Sequence, residues 1–576
     1  QNIFVPSGLA TGVFEELPQV MFWLLIYRLR ERISRVDLFR SFVRFHREAN
    51  QTDRPPRPYS LDEDLERSML MTQFTVSRRA VLGGAASALL VPAAAHATTP
   101  ARHYDEMTDV LIVGSGFAGM AAALAAAEKG VKVKVIEKMA FLGGNSSLSG
   151  GMMAVPGSSV QKAQGIEDSP EKLIADMTRI GQGLGNPELI RFVCEKASET
   201  FEWTRTSMGV EWNTHLTGKG GHSAARCMVT KQGTGQGILV PCSSKLKAMG
   251  VPLCTRTLLE KIFREEDGRV TGVQVREGWT FNKPESGTVK TIGVTRGVVL
   301  AFGGFSADVN YRKRLDPKLG EAFLTTNQPG ATAEGLRQAS RIGANVIQAD
   351  WIQCLPSCSP VEKGMGLASH FATIAGSLYG VWVDSKTGSR FVDEFGDRKV
   401  CTDAILGVIN RGGKALAISD QNGVDEMEVV RPGLTQKILK SGALRQFASL
   451  AELAEAYGID RKSLDSTIAR YNELLSAGRD ADFGRRFDKR AKALGRAPFY
   501  VSEMSPKVHH CMGGVAVNVE TAVLDVETDK PIPGLFAAGE CVGGIHGAVR
   551  IGACAVMDCL VNGRQAGLSA AASPKA

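Results

Sequence analysis

The most regular hydrophobic pattern of the chain lies between residues 109 and 137, which read DVLIVGSGFAGMAAALAAAEKGVKVKVIE. Four apolar residues, Val110–Val113, form a continuous run that is typical of a strand buried on both faces of a parallel sheet. A glycine-rich turn and an alanine-rich segment to Lys129 follow, and a second apolar run covers Val131–Ile136. This order predicts a strand, a helix and a second parallel strand, and therefore an α/β fold.

The turn after the first strand has glycines at the spacing G-x-G-x-x-G, at Gly114, Gly116 and Gly119. Glycine permits a tight turn and a close backbone approach, so the N-terminus of the next helix can hold a pyrophosphate. Glu137, at the end of the second strand, can accept hydrogen bonds from an adenosine ribose. The complete strand–turn–helix–strand context predicts a Rossmann-like dinucleotide-binding domain.

Segments elsewhere in the chain favour FAD over NAD as the dinucleotide. FLGGNSSLSGG, at 141–151, follows the second strand directly, and its glycines suit a backbone that lies along a long ligand. A further buried strand with a glycine turn is predicted at 297–306, and a short strand at 532–544 ends in Gly539-Glu540. This pair resembles the one that contacts the ribityl chain in flavoproteins. The predicted FAD domain is therefore formed by both ends of the chain around an insertion.

Length and composition indicate a globular protein of more than one domain, with 576 residues, 44% of them hydrophobic, and a formal net charge of +8. The basic residues form no block with interleaved aromatic residues, so nucleic acid is not expected as a partner. No apolar run reaches the roughly 18 residues that a membrane-spanning helix needs. The eleven cysteines include no C-x-x-C or C-x-x-C-H spacing, so neither a metal site nor a c-type haem is predicted. Most of these cysteines are expected to be small buried side chains.

Residues 71–97 have the pattern of a twin-arginine export signal. Paired arginines after Ser77 precede a mildly apolar, alanine-rich stretch and a small-x-small cleavage site that ends at Ala97. We therefore expect a periplasmic protein; an alanine-rich buried helix is the alternative. Residues 1–70, which contain MFWLLIY and interspersed arginines, do not fit a signal peptide. We interpret them as an extension of doubtful role, an over-extended reading frame or a cleaved segment without a part in the chemistry; a basic amphipathic helix is the alternative.

Five motifs occur in order along the rest of the chain: GGNSSLSGG, TNQPGATAEG, RFVDEFGDRKV, VHHCMGGVAV and AAGECVGGIHGAVRIGACA. Together they resemble the soluble fumarate reductase and flavocytochrome c flavoprotein family, which includes urocanate reductase and other ene-carboxylate reductases. The resemblance covers almost the whole chain after the export signal and does not include a haem domain. It implies an FAD-binding domain at 98–350 and 509–576 that is split by a mobile α+β capping domain at 351–508.

The resemblance assigns the chemistry to three cationic side chains. Arg398 matches the arginine that donates a proton to the substrate double bond, while flavin N5 delivers hydride to the other carbon. His509 and Arg550 match the pair that binds a substrate carboxylate. A guanidinium with a pKa above about 12 is a poor acid, so a neighbouring carboxylate or base must resupply the proton. A nearby carboxylate would also keep the guanidinium oriented and charged, and the candidates by sequence are Asp393, Glu394 and Asp397.

The resemblance also implies the residues that hold FAD, which we expect to be bound non-covalently. They lie in the fingerprint turn, at the end of the second strand, in the glycine-rich segments, at the Gly-Glu pair, and in or directly after the motifs TNQPGATAEG and AAGECVGGIHGAVRIGACA. These residues are Gly114, Gly116, Phe117, Ala118, Gly119, Glu137, Lys138, Gly144, Asn145, Ser146, Gly150, Gly151, Glu334, Glu540, Ala555 and Val556.

The sequence departs from the family on the far side of the substrate pocket. Leu355 stands where fumarate reductases have a histidine, and 372–376 lack their Thr-Glu-x-x-Arg motif. The residues that bind a second substrate carboxylate in the family are therefore missing. The substrate pocket is expected to have an apolar lining there, formed by Leu355, Phe371 and Ile374. We expect a monocarboxylate with an apolar or aromatic tail rather than fumarate.

The same departure removes the family's proton relay, for which His370, Lys399 or water are the remaining candidates. The leading hypothesis is an exported FAD-dependent reductase of an α,β-unsaturated carboxylate. Its electrons are expected from a separate donor, a cytochrome or a quinol-linked carrier, because the chain has no haem site. A ketosteroid-dehydrogenase-like flavoenzyme and a non-catalytic flavin electron-transfer subunit remain alternatives, although the three cations suit a carboxylate.

Overall fold

The computed structural model of the protein describes residues 102–216 and 220–575. The predicted extension at 1–70 and the predicted export signal at 71–97 lie outside these residues. In the described part of the chain, no helix is both long and apolar enough to cross a membrane. Nine of the eleven cysteines are buried, as expected of small hydrophobic side chains.

An eight-stranded sheet forms the centre of the larger domain. The first strand, Glu106–Val113, pairs in parallel with Val133–Ile136 on one side and with Thr288–Leu300 on the other. Pro531–Ala537 joins the far side of Thr288–Leu300, also in parallel, so both ends of the chain meet in one sheet. The α/β prediction and the split FAD-type domain agree with this topology. The second strand begins at Val133, two residues later than its apolar run predicts.

The first helix, Phe117–Ala127, packs along the last helix, Cys554–Ala572. The two backbones approach closely, because a Cβ atom at Gly563 would lie 2.5 Å from the carbonyl oxygen of Ala118. The alanines of the first helix are buried at this contact. Small residues on both helices therefore allow a packing distance that larger side chains would prevent.

A second, antiparallel sheet of four strands lies within the predicted cap. Its order is Gly380–Asp384, Ala415–Asp420, Phe499–Met504 and Arg445–Phe447. Separate hydrophobic clusters pack in this region, one around Trp382 and the other around Tyr471. The region is α+β, as the sequence analysis expected.

A two-stranded ribbon joins the two sheets. Ile352–Leu355 pairs in antiparallel fashion with Lys507–Cys511, and the register shifts between the pairs Gln353–His510 and Cys354–Val508. His509 is the extra residue at this β-bulge. Because a bulge turns side chains out of the regular alternation, His509 is directed differently from its neighbours.

The remaining elements surround these two sheets and the ribbon. Further strands are Met152–Ala154, Cys227–Val229, Leu253–Cys254, Thr257–Arg264, Val270–Glu277, Val346–Ile347, Gly514–Val515 and Ala522–Leu524. Further helices are Gly144–Leu148, Ser159–Ala163, Pro170–Ile180, Pro187–Thr206, Gln236–Ala248, Val309–Leu315, Pro317–Leu319, Glu334–Arg341, Ala368–Thr373, Ala375–Leu378, Arg398–Asn410, Gln421–Val430, Leu434–Ser441, Leu450–Tyr457 and Arg461–Ser476.

Candidate active site

The fingerprint turn has the shape of a dinucleotide cradle. Gly114 has a φ of +105°, and a Cβ atom there would collide with the carbonyl group of Ala301. A Cβ atom at Gly119 would collide with Gly114 itself. The helix that begins at Phe117 has no side-chain cap from Gly116, and apart from the N–H of Phe117, which Ser146 binds, its first-turn N–H groups and the positive end of its dipole suit an anion. This geometry fits a pyrophosphate.

Glu137 is buried at the end of the second strand and organises the loops around it. Its carboxylate accepts hydrogen bonds from the N–H and Oγ of Ser115 at 3.1 and 2.7 Å and from the N–H of Met139 at 2.9 Å. The next residue, Lys138, donates to Glu334 at 3.0 Å. A carboxylate fixed in this position suits the recognition of a ribose hydroxyl.

The glycine-rich segment after the second strand forms a 3-10 turn, Gly144–Leu148. Asn145 donates to Asn327 and accepts from the N–H of Gln328 at 2.9 Å, so it ties this turn to the TNQPG segment. Ser146 Oγ accepts from the N–H of Phe117 at 2.9 Å. Further along, Gly151 has a φ of +58°, and a Cβ atom there would collide with Thr234. These contacts bring distant parts of the predicted FAD site together.

The second segment of the domain completes this site. Ala555 and Val556 lie in the first turn of the last helix, whose start at Ala553 also has no side-chain cap. Glu540 accepts from the N–H of Cys511 at 3.0 Å, and burial raises the pKa of its carboxyl group to about 7. Three buried polar atoms nearby, Gln353 Oε1, His510 Nε2 and Arg550 Nε, have no hydrogen-bond partner. Two open helix N-termini, glycine cradles and unpartnered polar atoms fit FAD, together with a ligand beside it.

The three residues predicted for catalysis and carboxylate binding come together between the two domains. Arg398 is the first residue of a cap helix, Arg398–Asn410, which packs against the strand Ile352–Leu355. His509 lies at the bulge of the neighbouring strand, and Arg550 lies in the loop before the last helix. The charge of Arg550 acts on the pKa of Arg398, and both charges act on the pKa of His509.

The electrostatics of this cluster favour an anion. Burial, and then the charge of Arg550, lower the pKa of Arg398 well below its usual value. Burial, followed by the charges of Arg398 and Arg550, lowers the pKa of His509, so its imidazole is neutral at pH 7. No carboxylate of the described residues lies within ion-pair distance of either guanidinium, and Arg398 Nη1 and Arg550 Nε have no hydrogen-bond partner. A bound carboxylate would satisfy these donors.

His509 is oriented by a residue that the sequence analysis did not predict. Its Nδ1 lies 2.7 Å from Thr326 Oγ1, which also accepts a hydrogen bond from Asn327 at 3.3 Å. In the tautomer in which the Thr326 hydroxyl donates to Nδ1, Nε2 carries the imidazole proton and can donate to a carboxylate. Thr326 lies in the quoted TNQPG motif, which was the available indication of its role.

The acidic residues around Arg398 have other partners, so the prediction that one of them pairs with Arg398 is wrong. Asp393 accepts from the N–H of Phe395, and Asp397 caps the helix through the N–H groups of Lys399 and Val400. The buried Glu394 binds Arg390 and Arg485 at 2.7 and 3.1 Å. Lys399 forms an exposed pair with Asp403 at 2.6 Å.

The three predicted apolar pocket residues lie in two environments. Leu355 is buried on the ribbon, where it pairs with Lys507 near His509. Phe371 and Ile374 belong to the hydrophobic cluster of the cap that also contains Trp382. Their contribution to a substrate pocket stays a prediction.

Comparison with known proteins agrees with this geometry. A protein-family profile described as an FAD binding domain matches residues 109–556. The chain is 38% identical over 464 residues to the acrylate reductase flavoprotein subunit of Shewanella woodyi. The aligned region covers 80% of this chain and 91% of the relative. The chain belongs to this FAD-binding flavoprotein family. It binds FAD and is an FAD-dependent oxidoreductase.

Other members and structures support the assignment. Urocanate reductase of Eggerthella lenta is 34% identical, covering 81% of this chain and 74% of the relative. An open conformation of a flavocytochrome c3 fumarate reductase has a TM-score of 0.65 and 28% identity, covering 90% of this chain and 84% of that chain. A 3-ketosteroid Δ1-dehydrogenase of Sterolibacterium denitrificans has a TM-score of 0.66 at 22% identity, covering 81% of this chain and 100% of that chain, and shows the fold alone.

Proposed function

We propose that the protein reduces the carbon–carbon double bond of an α,β-unsaturated carboxylate. The observation that carries this proposal is the cluster of Arg398, His509 and Arg550, where no carboxylate of the described residues lies within ion-pair distance of either guanidinium and buried N–H donors have no partner. A ligand that supplies a carboxylate satisfies these donors, and the relatives are named as reductases of acrylate, urocanate and fumarate.

In this proposal Arg550 and His509 Nε2 hold the substrate carboxylate. Their hydrogen bonds fix the alkene in one orientation and stabilise the negative charge that develops on the enoate during reduction. Bound FAD supplies the hydride-transfer chemistry. Burial and the neighbouring Arg550 oppose the charged form of Arg398, so its guanidinium is a stronger acid here than in water. Arg398 then donates a proton to the substrate carbon that develops carbanion character.

We further propose a short monocarboxylate such as acrylate as the substrate. Leu355 stands on the ribbon beside His509, where it offers no charge to a second carboxylate. Phe371 and Ile374 pack in the cluster of the cap, so an aromatic tail is the second choice. The similarity to an acrylate reductase flavoprotein subunit over 91% of its length supports the first choice.

The test is an anaerobic screen in which the reduced flavin of the purified protein is mixed with acrylate, crotonate, cinnamate, urocanate or fumarate. Acrylate is expected to reoxidise the flavin fastest and fumarate slowest. A steroid enone serves as the control for the ketosteroid-dehydrogenase alternative. Failure of every enoate to reoxidise the flavin would contradict the proposed function.

Export and a separate electron donor complete the proposal. The paired arginines and the cleavage site within 71–97 support twin-arginine export to the periplasm. N-terminal sequencing of periplasmic protein should give Thr98 first, and unimpaired export of an Arg78→Lys, Arg79→Lys double variant would contradict this route. The lack of a C-x-x-C-H spacing supports a cytochrome or quinol-linked carrier as the donor.

A further inference from the structure

A short segment of the larger domain lies against the cap loop that carries Arg398. A Cβ atom at Gly220 would be 2.9 Å from the carbonyl oxygen of Phe395 and 3.0 Å from that of Gly396, so only glycine allows this approach. Two residues later, the carbonyl oxygen of His222 accepts a hydrogen bond from Arg486 of the cap at 3.5 Å. The segment 220–222 therefore contacts the cap through its backbone.

The side chain of His222 points to the opposite side, toward the loop of Arg550. Its Nε2 lies 2.8 Å from the carbonyl oxygen of Gly552, and its Nδ1 lies 3.1 Å from Nη1 of Arg226. Because Arg226 is only a donor, Nδ1 is the acceptor and Nε2 carries the proton. The donor to Gly552 is thus fixed by the arginine behind the ring.

Arg226 is itself rigidly held. It is fully buried, and its guanidinium donates to Asp168 at 2.7 and 2.8 Å and to Asp176 at 2.7 Å. A buried guanidinium with two carboxylate partners has one geometry, because every displacement leaves a charge unpaired. The imidazole of His222 therefore sits on a fixed support.

The loop that receives this hydrogen bond is held at each of its carbonyl groups. Gln353 Nε2 donates to the carbonyl of Arg550 at 3.1 Å, and Arg550 Nη1 donates to that of Ile551 at 2.9 Å. Nε2 of His222 donates to the carbonyl of Gly552, and the N–H of Ala154 donates to the carbonyl of Ala553 at 3.3 Å. Among these donors, His222 belongs to the segment that also lies against the Arg398 loop.

We propose that His222 is a positioning residue that couples the cap loop carrying Arg398 to the loop carrying Arg550. When the cap rests on Gly220 and Arg486 bonds to the His222 carbonyl, the ring holds Gly552 and the Arg550 clamp is aligned with the proton donor. The inference rests on the proposed function for the roles of the two arginines, but the contacts themselves are independent of it.

The first experiment compares His222→Ala and His222→Gln in the FAD-loaded protein. A glutamine can donate to the Gly552 carbonyl and accept from Arg226, so it retains both hydrogen bonds, whereas alanine loses both. Amide hydrogen exchange across 549–556 is expected to be about tenfold faster in His222→Ala, because the hydrogen bond from residue 222 to this loop is lost, and near the wild-type rate in His222→Gln. His215→Ala, an exposed position of the same region, is the control.

The same variants are assayed with acrylate and a reduced viologen donor. His222→Ala is expected to raise KM about tenfold with a smaller change in kcat and with unchanged FAD content, and His222→Gln is expected to restore KM. If the wild-type protein reduces no enoate, the proposed function fails, while the exchange experiment still tests the coupling.

The second experiment approaches from the cap side and does not disturb the buried network. Gly220→Ala should push the cap loop away and accelerate amide exchange in both 390–400 and 549–556. Gly495→Ala, a cap position where a Cβ atom meets nothing within 4 Å, should change neither. Faster exchange confined to 390–400 in Gly220→Ala, or wild-type exchange across 549–556 in His222→Ala, would overturn the proposal.

Discussion

The two domains present their arginines to the site in different ways. Arg550 extends from a loop whose carbonyl groups are bound by Gln353, His222 and neighbouring groups, and the adjacent His509 is oriented by Thr326. Arg398 extends from a helix start, and its Nη1 has no partner among the described residues. The clamp is thus fixed in advance, whereas the proposed proton donor is left with free N–H groups.

The acidic residues of the cap explain this difference. Glu394 and Asp480 form a buried network with Arg390 and Arg485, which fixes the loop before Arg398. Asp397 caps the helix. These carboxylates of the cap therefore bind other arginines and backbone N–H groups. None of them pairs with Arg398, whose guanidinium donates the proton in the proposed reaction. An ion pair at Arg398 would raise its pKa and weaken it as an acid.

The largest expected effect follows removal of the cap arginine. Arg398→Ala should keep FAD bound, since the residue lies away from the pyrophosphate cradle, and should lower kcat by roughly 10²–10⁴, the usual weight of a general acid. Arg398→Lys should recover little, because an ammonium lacks the planar donor fork. Steady-state reduction of acrylate with a viologen donor measures both. Arg461→Ala, at an exposed pair of the cap, is the control, and an Arg398→Ala rate above about a tenth of wild type would contradict the assignment.

The next effect concerns the network that supports the cap loop. Glu394→Gln leaves Arg390 and Arg485 with one carboxylate fewer in a buried setting, so the free energy of unfolding should fall by about 3–5 kcal/mol. Denaturant unfolding of the FAD-loaded protein measures the change. Asp465→Asn, which removes an exposed pair with Arg461, should cost less than about 1 kcal/mol. Equal losses in the two variants would show that the network does not support the loop.

Removal of the clamp should differ from removal of the donor. Arg550→Ala should lower kcat/KM by roughly 10²–10³ and raise KM, because Arg550 is proposed to bind both the ground state and the developing charge. Initial-rate measurements over a range of acrylate concentrations separate the two constants. Arg564→Ala, at a surface pair with Glu199, is the matched control. An unchanged KM in Arg550→Ala would remove the residue from the clamp.

The smallest effect is a pH dependence of stability in the larger domain. Burial lowers the pKa of His222 from 6.5 to about 4; the charge of Arg226 acts in the same direction, and the hydrogen bond to Gly552 and the charges of Asp176 and Asp168 oppose it. Between pH 6.5 and pH 4, His222 is therefore protonated in the unfolded chain and neutral in the folded chain. The free energy of unfolding falls as the pH decreases through this window. The loss is at most about 3 kcal/mol. Unfolding of wild type and His222→Gln at pH 7 and pH 4.5 should show a steeper loss in the wild type, and parallel losses would refute this.

The sequence predicted those parts of the molecule whose cause is local. Gly114 and Gly119 need glycine because of backbone collisions within one strand–turn–helix unit, and the apolar run Val110–Val113 fills a parallel sheet. The motif match singled out Arg398, His509 and Arg550, which the fold brings close together. These features depend on short segments that are visible in the chain itself.

The support of the site could not be predicted in this way. His222 and Gly552 are 330 positions apart, and Gln353 and Arg550 are 197 apart, so only the folded chain brings them into contact. Neighbourhood in sequence was also misleading, because Glu394 is close to Arg398 in the chain yet binds Arg390 and Arg485. The hydrogen-bond and ion-pair partners of these residues depend on tertiary contacts, and the hydrophobic periodicity of the sequence does not indicate such contacts.

The central claim is that the cationic cluster recognises a carboxylate next to the reduced bond. The most direct measurement is the anaerobic, single-turnover reoxidation of the reduced flavin by acrylate and by acrylamide, which has the same double bond without the charge. We expect acrylate to reoxidise the wild-type flavin at least about 10²-fold faster, and Arg550→Ala to remove most of this preference. Equal rates for the two compounds in the wild-type protein would contradict the account.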